Sequence, residues 1–157
     1  MSSAPATAVI ESPVGPIRLT ACDGVLTGLT ILPGAALEGD RSGDPLLVEA
    51  AIQLAAYFAG ERRIFDLPLA PAASPRGEAL RAGIQSIPYG ETLGYGALAN
   101  LLDSGPRAVG QACRRNPFPI IIPCHRVTSA KGAPEHYSGG HGVDTKLWLI
   151  RFEQQNR

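Results

Sequence analysis

The chain has 157 residues, of which 45% are hydrophobic, and its 14 Lys and Arg balance its 14 Asp and Glu. This length and apolar share predict one large globular domain or two small ones and exclude an intrinsically disordered chain. Three cysteines without a Cys-x-x-Cys pair or a Cys/His ligand spacing argue against a disulfide framework and a zinc site, so no metal or other cofactor is expected.

The amino terminus, Met1-Ser2-Ser3-Ala4-Pro5, has neither the basic nor the apolar region of a secretory signal, and no stretch approaches the length of a membrane span. Free thiols are typical of reducing compartments. We therefore expect a cytoplasmic protein with no membrane partner.

Residues 1–72 predict a small antiparallel sheet followed by a helix. The expected strands are residues 8–11, 16–21 and 25–32, with Asp23-Gly24 as the tight turn of a hairpin. Apolar residues at helical spacing predict a helix over residues 45–59. This half carries no pattern that predicts chemistry, and we interpret it as a supporting domain.

A domain boundary is expected within residues 67–75, where three prolines among small residues are typical of an extended linker. We place the two domains at residues 1–72 and 73–157. The first holds four Arg and eight Asp and Glu, whereas the second holds ten Lys and Arg and six Asp and Glu. This excess of positive charge in the second half favours weak, salt-sensitive binding of a polyanion.

Three helices are predicted in the first part of the second half. They are residues 75–87 with Ser74 as cap and Pro75 at the first position, residues 95–102 with Gly94 as cap, and residues 105–115 with Ser104 as cap. Two short helices joined by a Gly-containing turn predict a helix-turn-helix. The small residues Ala108, Gly110 and Ala112 would let the last helix approach another surface closely, although a weak surface helix is the alternative.

The stretch Pro123-Cys124-His125-Arg126-Val127 carries the strongest functional signal. It follows the apolar run of residues 120–122, which predicts a buried strand that ends at Pro123, because proline has no N–H for the ladder. Cys124 would then lie at the rim of the core as a reactive thiol, and the alternative is a buried structural cysteine. Neighbouring strand residues point to opposite faces, so His125 would act on Cys124 only across a turn or through a water.

Together with Tyr137-Ser138-Gly139-Gly140, this pentapeptide resembles the active-site signature of the O6-alkylguanine-DNA alkyltransferases. The similarity continues through residues 87–92, 107–110 and 115–117. It implies an α/β (α+β) fold, with a small RNase H-like N-terminal sheet and helix and a C-terminal helical domain. That domain would contain a winged-helix-like helix-turn-helix and carry the active cysteine.

The resemblance also implies a function. The protein would be a methylated-DNA--protein-cysteine S-methyltransferase that flips O6-alkylguanine out of duplex DNA. It would transfer the alkyl group irreversibly to its own Cys124, once per molecule. We expect a monomer whose partner is double-stranded DNA containing O6-alkylguanine.

Catalytic roles are implied for four residues. Cys124 would be the nucleophile, a water bound to His125 would take its proton, and Glu153 would orient His125. Asn116 would tie the recognition helix to the active-site segment, although an Asn-Pro turn residue is an equal alternative. Arg126 is expected to be structural.

DNA contacts are implied for the helix-turn-helix and for the loop that follows the cysteine. Tyr95 would crowd the phosphate beside the target, and Arg107 would fill the gap left by the flipped nucleotide. The helix over residues 108–112 would enter the minor groove. The implied contacts to the flipped base are the carbonyls of Cys124 and Val127 and the side chains of Tyr137 and Ser138.

Two other function classes remain open. A cysteine hydrolase would pair Cys124 with a histidine, and a non-catalytic alkyl-lesion-sensing DNA-binding protein would need no cysteine. The chain also departs from the family pattern. Arg76-Gly77 stands in place of an aromatic-glutamine pair and Leu80-Arg81 in place of an apolar-tryptophan pair, which is expected to change how the first C-terminal helix packs and meets the DNA backbone.

Overall fold

The computed structural model describes residues 4–32, 43–129 and 140–157. The chain divides into two compact units, Met1–Ala70 and Pro71–Arg157. Within the described ranges, no helix combines the length and apolar character that a membrane span requires.

The first unit is a three-stranded antiparallel sheet with one helix. Its elements are β1 (Ala6–Ile10), β2 (Ile17–Cys22), β3 (Val25–Ile31) and α1 (Pro45–Phe58). The strands pair in the order β1-β2-β3. Asp23 and Gly24 form the predicted hairpin turn, and both have positive φ angles, of 53° and 82°, as a tight turn that follows the strand twist requires.

The core of this unit follows from alternation along β2. Ile17, Leu19 and Ala21 are buried while the intervening side chains are more exposed, so one face of the sheet is covered. The predicted linker begins as part of this unit, because Leu26 accepts from Ala70 N and donates to Pro68 O.

The second unit is mainly helical. Its elements are α2 (Pro75–Gln85), β4 (Leu93–Gly94), α3 (Tyr95–Leu101), α4 (Pro106–Arg114), a 3-10 turn (Cys124–Arg126), β5 (Val127–Thr128) and α5 (Val143–Gln155). The two short strands pair in parallel, with Leu93 opposite Val127. Ser74 caps α2 and Pro75 follows at its first position, as predicted.

The predicted Ser104 cap of α4 is wrong, because Gly105 is the N-cap. Ser104 instead ends α3, where its N–H donates to Ala99 O over 2.8 Å. Asp103 before it has a φ of 51°, which is the left-handed residue that this type of helix ending uses. Gly105 has an extended backbone and directly precedes Pro106, so it takes the N-cap position of α4.

The predicted strand at residues 120–122 is also wrong, because these buried residues form turns. Ile122 N donates to Phe118 O over 2.8 Å, and Ile120 has a φ of 77°. Pro123, at φ −79° and ψ 61°, is the centre of an inverse γ-turn in which Cys124 N donates to Ile122 O over 2.7 Å. A short apolar run indicates that its residues are buried, but it does not distinguish a buried strand from a buried turn.

Candidate active site

Cys124 lies at the start of the 3-10 turn and is only 1% exposed. Its Sγ accepts a hydrogen bond of 3.1 Å from Asn116 Nδ2, which also donates to Ile122 O over 2.8 Å. Asn116 Oδ1 accepts from Phe118 N over 2.9 Å. A single amide just beyond α4 therefore fixes both the turn before the cysteine and the thiol itself.

His125 and Glu153 form a buried pair across 28 residues of sequence. His125 Nε2 lies 2.7 Å from Glu153 Oε2, and both side chains are within 1% of full burial. A carboxylate only accepts hydrogen bonds, so Nε2 carries the proton and Nδ1 of the neutral ring is left as an acceptor. Nδ1 is buried and has no hydrogen-bond partner among the described residues.

Arg126 binds the other side of the Glu153 carboxylate. Its Nε donates to Oε1 over 2.8 Å and its Nη2 to Oε2 over 3.0 Å, while Nη1 donates to Ile87 O over 2.7 Å. Gly90 N lies 3.4 Å from Oε1 as a further donor. The third residue of the turn thus holds Glu153 in place, in keeping with its predicted structural role.

These surroundings determine the protonation states. Burial raises the pKa of Cys124 to about 11, although the Asn116 hydrogen bond and the Lys146 charge oppose the shift. Burial lowers the pKa of His125 and outweighs the opposing effect of Glu153. Burial alone would raise the pKa of Glu153, but the hydrogen bond and charge interaction with His125, followed by those with Arg126, hold it well below its usual range. At neutral pH the resting site therefore holds a thiol, a neutral imidazole and a carboxylate.

Lys146 is a site residue that the sequence interpretation missed. It is fully buried, its Nζ donates to the Tyr95 hydroxyl over 3.3 Å, and the ammonium lies 5.5 Å from the centre of the Tyr95 ring. Its charge lowers the pKa of the Cys124 thiol. The spacing of Lys146, Leu149 and Glu153 along one stripe of α5 was the available signal.

The predicted DNA-contacting residues lie on α3 and α4. Tyr95 begins α3 and is half-buried. Arg107 is exposed, whereas Ala108 and Ala112 are partly covered above the buried Val109 and Cys113. Apart from the backbone of α4 itself and the two chain neighbours, no atom of the described residues lies within 4 Å of the position that a Cβ on Gly110 would take, so this part of the helix backbone is accessible.

The residues predicted to hold the flipped base are only partly described. Val127 is fully buried in β5, directly after the 3-10 turn. Tyr137 and Ser138 lie outside the described residues. No group of three or more metal-binding side chains occurs in the described part of the chain.

The site thus contains Asn116, Cys124, His125 and Glu153 in one buried cluster, with Lys146 linking it to Tyr95. Arg107 lies on the exposed surface of α4. Among the predicted DNA-contacting residues, Tyr95 is thus joined to the catalytic cluster through Lys146, whereas Arg107 is exposed on α4.

Comparison with known proteins gives a consistent result. Residues 77–155 match the family model described as 6-O-methylguanine DNA methyltransferase, DNA binding domain, and residues 6–71 match its ribonuclease-like domain. The chain is 39% identical over 152 residues to a methylated-DNA--protein-cysteine methyltransferase of Methanosarcina acetivorans, covering 93% of this chain and 96% of that protein. A relative of the same name from Mycolicibacterium paratuberculosis is 38% identical, with 94% and 91% covered.

Solved structures are similar over nearly the whole chain. The crystal structure of a Mycobacterium tuberculosis O6-methylguanine methyltransferase superimposes with a TM-score of 0.84 at 34% identity, covering 98% of this chain and 95% of that chain. A second M. tuberculosis structure, in complex with DNA, has a TM-score of 0.81 at 37% identity, with 96% and 93% covered.

Proposed function

The chain belongs to the 6-O-methylguanine DNA methyltransferase family, and from this membership we propose that it repairs DNA by transferring an alkyl group to its own Cys124. The observation that carries the proposal is the buried thiol bonded to Asn116 beside a neutral imidazole whose proton is fixed on the Glu153 side. This arrangement offers a nucleophile and a base in one water-poor site.

Because burial raises the pKa of Cys124 to about 11, we place deprotonation of the thiol after the protein has met its substrate. Few thiolates exist in the resting protein at neutral pH, so the Cys124 proton leaves as substrate binds. It passes through a water to Nδ1 of His125, which has no hydrogen-bond partner within the described ranges. Glu153 stabilises the imidazolium that forms. Arg126 keeps Glu153 ionised and oriented throughout.

The transfer itself is an in-line displacement at the alkyl carbon. A bond forms between Sγ and that carbon while the bond to guanine O6 breaks, and the guanine anion that departs is neutralised at N1 by one proton, which balances the proton that Cys124 gave up to His125. The product is a thioether on Cys124 and an unmodified guanine. A thioether is not hydrolysed under these conditions, so each molecule reacts once.

Access to O6 requires the damaged base to leave the stack, because the alkyl group is shielded inside the duplex. We propose that α4 enters the minor groove at Gly110, that Arg107 occupies the gap and that Tyr95 crowds the neighbouring phosphate. The flipped base would meet the carbonyls of Cys124 and Val127 and the side chains of Tyr137 and Ser138. Residues 73–157 would supply the alkyl acceptor and the DNA-binding elements, and residues 1–72 would support them, in a monomer that acts in the cytoplasm.

The test is mass spectrometry after mixing the protein with duplex DNA that contains O6-methylguanine. A single methyl group is expected, and peptide mapping should place it on Cys124. Cys22 and Cys113 should stay unmodified and serve as internal controls. Methyl transfer that persists in Cys124→Ser would overturn the assignment.

A further inference from the structure

The second unit contains a pocket that is separate from the alkyl-acceptor thiol. It lies between the beginning of α2 and one flank of α4. Its volume of about 510 Å³ is within the size range of ligand-binding cavities. Its inner wall is apolar and includes the buried side chains of Leu80, Ile84 and Ile122.

Three arginines line this pocket, and no Asp or Glu is among its lining residues. Arg76 and Arg115 are exposed, whereas the Arg81 side chain is only 14% exposed and its guanidinium lies 5.5 Å from the centre of the Phe118 ring. Arg81 Nη1 lies 3.8 Å from Glu78 Oε1, and Arg76 Nη2 donates to Asp103 O over 3.4 Å. The excess positive charge selects an anion, and guanidinium groups suit phosphate oxygens in particular.

The position of the pocket on α4 indicates where such a phosphate comes from. Ala108, Ala112 and Arg115 line it and share one flank of the helix, whereas Arg107 and Gly110 lie on a different face. A helix that enters a DNA groove is bordered by the two sugar-phosphate backbones, so its flank faces phosphates while its leading face meets the bases.

We propose that this pocket binds a backbone phosphate of one DNA strand through Arg76, Arg81 and Arg115, and that it fixes the register of α4 in the groove. The inference rests on the proposed function, because it takes α4 as the helix that enters DNA. It gives Arg76 and Arg81, which differ from the residues of the family pattern at these positions, a role in DNA binding.

The decisive experiment neutralises phosphates one at a time. Duplexes with one O6-methylguanine, which fixes the register, and a single methylphosphonate at successive positions of each strand are titrated by fluorescence anisotropy. All proteins carry Cys124→Ser so that the lesion is not consumed, and the wild-type arginines are compared with Arg76→Gln and Arg81→Gln. For the wild type, one position or two adjacent positions in one strand should weaken binding. In the variants that same position should lose its effect, while all other positions keep theirs.

The salt dependence gives an independent readout. The slope of log affinity against log salt should be smaller by about 0.9 for a variant that releases one phosphate. Arg18→Gln removes the same charge from an exposed position of β2 in the first unit and should leave the position-specific pattern intact. Arg81→Lys keeps the charge and should recover part of the effect, which separates phosphate binding from a packing defect at Phe118.

Equal methylphosphonate profiles for the wild type and both variants would overturn the proposal. So would an identical loss of salt dependence in Arg18→Gln, because the arginines would then act only through net charge. Failure of the proposed function would look different, since the wild type would acquire no methyl group from O6-methylguanine duplex whatever its phosphate contacts.

Discussion

At the scale of single residues, the buried carboxylate of Glu153 is the centre of the site. It accepts from His125 on one side and from Arg126 on the other, with all three side chains nearly buried. A buried ion pair of this kind adds little net stability compared with an apolar pair, but removing one partner is costly because it leaves the other charge uncompensated.

Glu153→Gln should therefore lower the free energy of unfolding by about 3 kcal/mol, measured by urea denaturation at pH 7, and should also slow methyl transfer. The double variant Glu153→Gln/Arg126→Met should be more stable than Glu153→Gln alone, because it also removes the buried Arg126 cation that would otherwise lack a carboxylate partner. Equal stability of the single and double variants would contradict the buried-pair explanation.

The pH dependence of stability follows from two depressed pKa values. Burial lowers the pKa of His125 below its ordinary 6.5, and its charged neighbours hold the pKa of Glu153 below its ordinary 4.5 against the effect of burial. The unfolded chain then binds protons before the folded protein does, so stability falls as the pH falls.

The melting temperature should not depend on these two groups above pH 6.5, should fall as His125 protonates in the unfolded chain, and should fall further below pH 4.5 through Glu153. Calorimetric scans between neutral and acidic pH would measure this. His125→Gln should remove the upper part of the decline. A melting temperature that rises on acidification would contradict the assignment.

At the scale of elements, α4 buries few of its side chains and leaves one face accessible. Only Val109 and Cys113 of this helix are buried, and none of the other residues in the described part of the chain occupies the space into which a side chain at Gly110 would project. Glycine in a helix interior costs about 1 kcal/mol relative to alanine. Its presence here is explained if the backbone must approach DNA closely.

Gly110→Leu should consequently keep or raise the melting temperature of the protein while it weakens duplex binding by about tenfold, or 1.4 kcal/mol. Gly110→Ala should give a smaller loss of affinity, because its added side chain is smaller. Anisotropy titrations and thermal melts of the same preparations provide both readouts. Unchanged affinity in Gly110→Leu would mean that this face does not meet DNA.

Arg107 makes a second test of α4 possible. If its side chain fills the gap left by the flipped nucleotide, Arg107→Ala should slow repair of duplex DNA far more than reaction with free O6-benzylguanine, which needs no flipping. Rates from single-turnover assays on the two substrates decide this. Equal losses of rate on both substrates would mean that Arg107 acts in the binding site of the flipped base or in folding of the protein, and not in flipping.

At the scale of the whole molecule, charge and chemistry lie in the same part of the chain. Residues 73–157 carry the excess of Lys and Arg, the buried thiol and the helix-turn-helix. The thiol lies in the interior of the second unit, where Cys113, Phe118 and Ile122 are also buried.

Alkylation should therefore destabilise the protein. An added methyl group in a packed interior costs about 1 to 3 kcal/mol, and it also changes the sulfur that Asn116 donates to. The S-methyl protein is expected to melt at a lower temperature than the free protein, and the S-benzyl protein lower still if the ring does not fit. Unchanged melting of both adducts would contradict the close-packed site and leave the transfer chemistry intact.

The sequence by itself determined the features that depend on near neighbours in the chain. Capping by Ser74, the Asp23-Gly24 turn and the helical spacing of α1 are local signals, so the predicted helices and hairpin were confirmed to within a few residues. The fold class and the family followed from motifs that are also contiguous in sequence, and both were confirmed.

Only the tertiary structure decided features that depend on distant partners. Residues 120–122 are equally apolar in a strand or in a buried turn, and the Asn116 amide that closes on Ile122 O decides between them. Lys146 meets Tyr95 across 51 residues of sequence, and Arg126 meets Glu153 across 27. A charged side chain becomes buried only when a distant partner compensates it, and no local pattern encodes that partner.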